Sequence, residues 1–286
     1  MSAAAEAQIS RQKSPPPTPS KARSDSQDKP WLTLPSTPAL PDPDRSDRIP
    51  INGTSIFFAL FGSGPPVLLL HGGLANSNYW GHQIEALAQE HSVIVTDTRG
   101  HGRSPVTSSA FSYALFAQDV VGLLDFLKIA RTSIVGWSDG AITGLQLAMT
   151  KPDRVSRLFA FGANSSLDGM KPSGGSSHLF AQYAQRCKDE YTALSPQPAK
   201  WSQLLSGLRA MWHTQPNFSV QQLASIKLPV TISDGEYDEI IKRDHTERMA
   251  RAILGARLVI QPAVSHFAML QNPTGYNKAL LEFLTA

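Results

Sequence analysis

One passage constrains this chain more than any other. In Ser133-Ile134-Val135-Gly136-Trp137-Ser138-Asp139-Gly140 a short apolar run ends in G-x-S-x-G and a helix-forming stretch follows. A serine on a sharp strand-to-helix turn is held in strained backbone. Glycines two positions to either side let neighbouring chains come close, and Gly136 and Gly140 stand there. The helix that starts at this point would aim free N–H groups and its positive dipole end at the serine, which favours negative charge as the hydroxyl attacks. Ser138 is therefore the candidate nucleophile. The backbone N–H of Asp139, rather than its side chain, is a candidate oxyanion donor. The competing reading is a glycine-lined turn with a solvated serine, because G-x-S-x-G recurs by chance.

The surroundings of the motif follow one rhythm. Ser55–Phe61, Val67–Leu70, Ser92–Thr96, Thr132–Val135, Val155–Phe161, Leu228–Ile232 and Arg257–Ile260 read as strands. Between them, Asn76–Gln89, Ala141–Thr150 and His245–Leu254 read as helices. Phe116, Val120, Leu123, Leu124 and Leu127 fall on one helical face. Strands that alternate with helices predict an α/β fold: a mostly parallel central sheet with helices on both faces. From about residue 165 to 227 the rhythm breaks, with helical stretches at His178–Tyr191 and Lys200–His213 and no convincing strand. Ligands in such folds bind beyond the carboxyl ends of the strands. The insertion at 165–227 is accordingly expected to be a helical cap, or lid, over the site.

Three further groups complete a constellation around Ser138. The strand Val67–Leu70 runs into His71-Gly72-Gly73-Leu74, a glycine-rich turn that can aim a backbone N–H into the site. Gly73 is the expected second oxyanion donor, with Leu74 the near alternative and His71 a structural residue rather than a base. Of the 8 histidines, only His266 lies on the loop after the last strand, which makes it the candidate general base. The acid that orients it should follow the strand Leu228–Ile232. Asp238 fits best there, with Asp234 and Glu236 as runners-up and Asp168 more remote. Its task is to fix the histidine tautomer and stabilise the imidazolium. The order Ser138, Asp238, His266 is the one expected for a nucleophile-elbow triad.

Composition bounds the rest. With 286 residues and 41% hydrophobic content, the chain can bury a sizeable core. A formal charge of +3 without a basic stripe argues against nucleic acid as a partner. The lone cysteine, Cys187, makes no internal disulfide. No stretch is apolar and long enough to span a bilayer. The opening residues lack the apolar core of a secretory signal, so a cytoplasmic protein is expected. Residues 1–47 are rich in proline and serine and balanced in charge, which predicts a disordered tail. A proline-docking peptide and a tail that folds back on the domain are the other readings. Residues 48–286 form the expected domain. Carboxylates and His245 within 238–247 read as solvated helix charges, and neither a metal nor another cofactor is expected.

The chain resembles the α/β-hydrolase superfamily over about residues 48–286. Four blocks carry the resemblance in order: His71-Gly72-Gly73, Asp97-Thr98-Arg99-Gly100-His101-Gly102-Arg103-Ser104, Gly136-Trp137-Ser138-Asp139-Gly140, and Gly235-Glu236-Tyr237-Asp238 with Ser265-His266-Phe267. It is most similar to capped serine hydrolases that include esterases, lactonases, C–C bond hydrolases and haloperoxidase-like enzymes. Haloalkane dehalogenases and epoxide hydrolases of this fold carry an aspartate where this chain has Ser138, so those activities are set aside. The acidic amine-binding residues of proline iminopeptidases find no match here. The resemblance implies hydrolysis of a small to medium, mostly apolar ester, lactone or related carbonyl substrate through an acyl-enzyme. A non-catalytic ligand receptor on the same fold and a C–C hydrolase or aminopeptidase-like activity are the alternatives. Trp137, Leu74, Phe267 and Trp212 are the expected substrate-binding side chains, and a small molecule is the expected partner. The oligomeric state is left open.

Overall fold

The computed structural model describes residues 29–285. Eight strands form a single sheet in the order β1-β2-β4-β3-β5-β6-β7-β8. They are β1 (Arg45–Ile51), β2 (Thr54–Phe61), β3 (Pro66–Leu70), β4 (Ser92–Asp97), β5 (Thr132–Trp137), β6 (Val155–Phe161), β7 (Val230–Gly235) and β8 (Arg257–Gln261). β2 pairs antiparallel with both β1 and β4, and every pairing from β4 to β8 is parallel. The α/β class with a mostly parallel sheet is thus the observed architecture. The helices are α1 (Gly81–Leu87), α2 (Tyr113–Phe126), α3 (Asp139–Thr150), α4 (His178–Leu194), α5 (Trp201–Trp212), α6 (Val220–Ala224), α7 (Arg243–Ala252), α8 (Ala268–Gln271) and α9 (Pro273–Thr285).

Parallel strands covered on both sides bury every residue, so β3, β4 and β5 read as continuous apolar runs. Leu68, Leu69, Ile94, Val95, Ile134 and Val135 are fully buried. The two-residue alternation still sorts the faces along β6. Phe159 and Phe161 stack edge-on against Tyr276 of α9, while Leu158 points the other way, against Gly144 of α3. Each such side chain taken out of water contributes about 1.5–3 kcal/mol.

Two sequence expectations change here. The expected disordered tail of residues 1–47 does not extend to its predicted end; residues 1–28 lie outside the described residues. β1 begins at Arg45, and residues 29–44 run along the domain. Trp31 stacks on Tyr237 at 4.1 Å, Gln271 donates to the Thr33 carbonyl, and Arg186 of α4 donates to the carbonyls of Leu34 and Pro35. Proline removes a donor but leaves a carbonyl, and here those carbonyls are captured by side chains. The helix expected over Asn76–Gln89 is split into a 3₁₀ turn at Ser77–Trp80 and then α1. Asn76 caps the turn by accepting from the Asn78 N–H.

The segment between β6 and β7 carries α4, α5 and α6. Its only β pairings are the isolated bridges Ser166–Asn217 and Met170–Ile241 among the described residues. Among those residues, too, no helix is long and apolar enough to cross a membrane.

The turn after β4 is held by buried polar groups. Asp97 accepts from the backbone N–H of Ser77 and Arg103, and the Ser104 hydroxyl donates to the Asp97 carbonyl. Arg99 makes a two-pronged pair with Asp119 of α2 at 2.7 and 2.6 Å, both residues being buried. A guanidinium left alone in that place would be uncompensated. Asp119→Ala should therefore lower unfolding free energy by about 3–5 kcal/mol. Urea unfolding followed by tryptophan fluorescence measures this, and a loss under about 1 kcal/mol, the range of an exposed pair, would contradict it.

Candidate active site

The carboxyl ends of β3, β5, β6 and β7 and the loop after β8 meet at one edge of the sheet. Ser138 sits between β5 and α3 with φ 53° and ψ −120°, the left-handed region that costs a side-chain-bearing residue free energy. Its backbone is pinned on both sides: Ser138 N–H donates to the Phe161 carbonyl, and Ile142 N–H donates to the Ser138 carbonyl. The motif glycine Gly140 is required by contact, since a Cβ there would lie 2.1 Å from the Leu70 carbonyl oxygen. The start of α3 is thereby pressed against β3, and Asp139 N–H, at the first helical position, has no partner within the helix.

The turn after β3 faces that helix end. His71 Nδ1–H donates to the Gly72 carbonyl at 2.8 Å, and its Nε2 accepts from Thr98 N–H at 3.0 Å. Both ring nitrogens are engaged, and burial lowers the pKa of the ring, so it is neutral and structural. A Cβ on Gly73 would stand 2.5 Å from both an Asp139 carboxylate oxygen and the Trp212 ring. Among the described residues nothing accepts from the Gly73 N–H.

His266 and Asp238 form a pair. Nδ1–H donates to Asp238 Oδ2 at 2.6 Å, with both side chains buried. Asp238 Oδ1 accepts from the backbone N–H of Ile240 and Ile241 at 2.7 and 2.8 Å. Burial opposes a charge on Asp238, but His266 and these donors prevail and hold its pKa at about 2. Burial likewise opposes a charge on His266; Asp238, then Glu239 and Asp139, outweigh it and raise its pKa above the ordinary 6.5. Asp234, the runner-up acid, does not reach the histidine. It accepts from the Thr246 hydroxyl and the Gly235 N–H, and burial with Asp238 nearby pushes its pKa far up, leaving it neutral. Glu236 accepts from Ala263 N–H at the surface, and Asp168 lies exposed beside Arg248.

Ser138, Gly73, Asp139 and His266 all line one cavity. Trp137 closes its floor. Tyr113, Asn164, Ile240 and Ile241 form walls, and Met170, Phe180, Tyr183, Trp212, Gln215 and Pro216 reach in from the segment between β6 and β7. The Ser138 hydroxyl and the His266 ring are not hydrogen-bonded to one another here, a spacing common before a substrate draws the groups together.

A family model for the alpha/beta hydrolase fold matches residues 65–187. Serine hydrolase BPHL of Homo sapiens is 28% identical over 255 residues, which cover 84% of this chain and 86% of that protein. Est816, an N-acyl homoserine lactone degrading enzyme, superposes with a TM-score of 0.65 at 27% identity, over 83% of this chain and all of that one. A meta-cleavage product hydrolase from Pseudomonas fluorescens IP01 shares the fold with a TM-score of 0.75 at 21% identity, covering 84% of this chain and 97% of that one.

The chain has the α/β-hydrolase fold.

Two of the four side chains expected to bind substrate are placed elsewhere. Trp137 and Trp212 line the cavity, whereas Leu74 and Phe267 do not. Leu74 adopts φ 68°, which turns its side chain into the core, and Phe267 is fully buried among Trp137 and Tyr183. Both flank a cavity residue in sequence, and a one-residue step in a tight turn sends neighbouring side chains in opposite directions. Asp139 was expected to matter only through its backbone. Its carboxylate also lines the cavity, accepting from Tyr113 Oη at 2.8 Å and from Trp212 Nε1 at 2.9 Å, and burial raises its pKa to about 6. Glu239, adjacent to the expected acid and unassigned in sequence, accepts from His266 N–H with one oxygen and leaves the other buried without a partner among the described residues.

Glu239 has a consequence that can be measured. Its negative charge is among those that raise the His266 pKa. Glu239→Gln removes that charge and keeps the shape, so the His266 titration should move to lower pH, toward the ordinary value. Imidazole NMR shifts followed from pH 4 to 9 measure it, and an unmoved or higher midpoint would refute the assignment.

Proposed function

We propose that this protein is a serine hydrolase cleaving a small to medium, mostly apolar ester, lactone or related carbonyl compound through an acyl-enzyme. The observation that carries the reading is the meeting, at one cavity, of a serine on a strained elbow, a histidine paired to a buried ionised aspartate, and two backbone N–H groups on either side. In the proposed sequence, Ser138 Oγ attacks the carbonyl carbon and passes its proton to His266 Nε2. Asp238 holds the Nδ1–H tautomer and stabilises the imidazolium. Gly73 and Asp139 N–H would hold the oxyanion. Collapse expels the leaving oxygen, which takes the proton from His266, and the Ser138 ester forms. Water then attacks the acyl carbon as His266 takes its proton, and collapse releases the acid as Ser138 Oγ takes that proton back from His266.

The match to serine hydrolase BPHL supports a serine nucleophile, and the match to Est816 supports a lactone or ester carbonyl. Met170, Phe180, Trp137, Ile240 and Ile241 favour an apolar acyl group.

Ser138→Ala should cut turnover of a p-nitrophenyl ester by about 10⁶ without unfolding the protein, and Asp238→Asn by about 10⁴. Asp234→Asn, which preserves the shape of a neutral carboxyl, should be far milder. Full turnover in pure Ser138→Ala protein would sink the proposal; a crippled Asp234→Asn beside an active Asp238→Asn would reverse the choice of acid. The rate should rise with pH through an apparent pKa above 6.5, because the neutral imidazole is the form that accepts the serine proton.

Across a series of p-nitrophenyl esters, each buried methylene should improve binding by about 0.8 kcal/mol until the cavity is full, after which efficiency falls. Efficiency indifferent to chain length would rule out an apolar acyl site. So would a strict demand for an acyl group bearing an amine, which would instead place a cation against Asp139.

A further inference from the structure

We infer that Tyr183, on helix α4, is a positioning residue for the turn that supplies the Gly73 oxyanion donor; this rests on the serine-hydrolase reading above. The Tyr183 hydroxyl donates to the Gly73 carbonyl at 2.5 Å, across 110 residues of sequence.

Tyr183 holds the part of the turn that no backbone donor reaches among the described residues. Two peptide planes meet at Gly73. The plane that carries the Gly73 N–H is fixed through its Gly72 carbonyl, which accepts from His71 Nδ1 and from Ala75 N–H. The plane on the other side carries the Gly73 carbonyl and the Leu74 N–H. Its carbonyl receives no backbone donor among the described residues, and Tyr183 is its partner. Glycine is the residue least restrained about its own φ and ψ. With the second plane unfixed, Leu74 and the chain beyond it lose their tie to α4, and the turn that presents the Gly73 N–H can shift as a whole. Leu74 follows at φ 68°, a conformation that the rest of the turn must hold in place.

Tyr183 is suited to the task. Its ring is packed on four sides by aromatic neighbours: Trp137 at 5.8 Å, Phe267 at 5.0 Å, Tyr79 at 5.8 Å and Phe180 at 5.8 Å. Trp137 immediately precedes the nucleophile, so one ring touches the serine side of the site while its hydroxyl holds the donor side. Burial raises the phenol pKa well above the ordinary value, so the hydroxyl stays a donor at every pH of interest.

The same helix grips the turn a second time. Glu190, two helical turns beyond Tyr183, accepts from Asn76 Nδ2 at 2.9 Å, just downstream of Leu74. Glu190 also accepts from Thr37, and Arg186 donates to the Leu34 and Pro35 carbonyls, so α4 is itself tied to residues 34–37. The oxyanion turn is therefore set by a helix of the segment that roofs the cavity, and the site is complete when α4 is seated.

The test is Tyr183→Phe, which keeps the ring and removes the donor. Loss of one oxyanion donor costs about 10²–10³ in turnover, so a donor left in place but loosely aimed should cost about 10- to 100-fold in kcat. KM for a p-nitrophenyl ester should stay within about twofold, because the ground-state carbonyl gains little from the donor. Affinity for a trifluoromethyl ketone, whose adduct with Ser138 carries the oxyanion, should fall by the same factor as kcat/KM. Unchanged kcat overturns the inference. So does a rise in KM alone, or a lower melting temperature with inhibitor affinity intact, since packing would then be the whole role.

Glu190→Gln serves as the second variant. It weakens the other grip without touching the packed ring and should reduce kcat and ketone affinity together, by a smaller factor. If Tyr183→Phe does not fold, an unaltered Glu190→Gln variant overturns the inference. Absence of turnover and of fluorophosphonate labelling in the unmodified chain would overturn the serine-hydrolase reading itself, an outcome separate from any ratio between variant and parent.

Discussion

The pressing of the α3 N-terminus against β3 is the constraint on which the site depends. Gly140 has no Cβ because the Leu70 carbonyl occupies that place, and the contact forces the chain to reverse within the single residue Ser138. Reversal lifts the serine above the sheet edge and aims the first N–H of α3 at the same space. Strain of this kind persists only where the surroundings over-determine it. They do so here: β5 is paired on both sides, by β3 and β6, and the Ser138 N–H and carbonyl each have a backbone partner. A parallel sheet then brings every later strand to the same edge. The loops after β7 and β8 need only short excursions to set Asp238 and His266 beside the serine.

Three carboxyl groups, Asp238, Glu239 and Asp139, act on one imidazole, and a fourth, Asp234, stands beside Asp238; their environments separate them. Asp238 accepts from two backbone amides and from His266 and stays ionised. Asp234, buried 4 residues earlier with a hydroxyl and one amide as donors, stays neutral. Two like charges that close together in low dielectric would repel strongly, so one ionises and the other does not. Glu239 and Asp139 sit farther around the ring, each raised in pKa by burial first. Neighbouring residues of one type thus reach different charge states through the number and kind of donors each receives.

Much of this was legible in the sequence wherever the signal was local. The elbow at Ser138, the glycine turn at Gly73 and the strand order that leads to Asp238 and His266 each depend on residues within a few positions of one another. Residues 29–44 follow the alternative reading, a segment folded back on the domain, rather than the expected disorder, because Leu34 and Pro35 bind through carbonyls, which composition does not weigh. β1 was missed for a similar reason: as an edge strand with Pro50 in it and most of its first half exposed, it lacks an apolar pattern. α9 also escaped notice, although Tyr276, Leu280 and Phe283 lie on one face. The cavity wall was the hardest to foresee. Tyr113, Trp212 and Asp139 meet from elements far apart in the chain, and no spacing within one element announces such a meeting.

The Asp139 carboxylate poses the sharpest electrostatic problem for the chemistry proposed here. It stands one residue from the nucleophile, beside the place where negative charge would develop. Above its pKa of about 6, and above that of His266, the cavity holds this carboxylate ionised while the imidazole is neutral. A bare charge there would repel an oxyanion. Tyr113 and Trp212 answer this by donating to it from two sides, which draws its charge away from Gly73 and toward the walls. The same charge favours the imidazolium that forms when Ser138 gives up its proton, because Asp139 is among the groups that raise the His266 pKa. The carboxylate therefore acts on the two halves of the developing charge pair with opposite sign. Its net effect on the barrier depends on how well those two donors hold it, and both arrive on residues that also line the cavity. Shape and electrostatics of the pocket are in this way set by the same side chains.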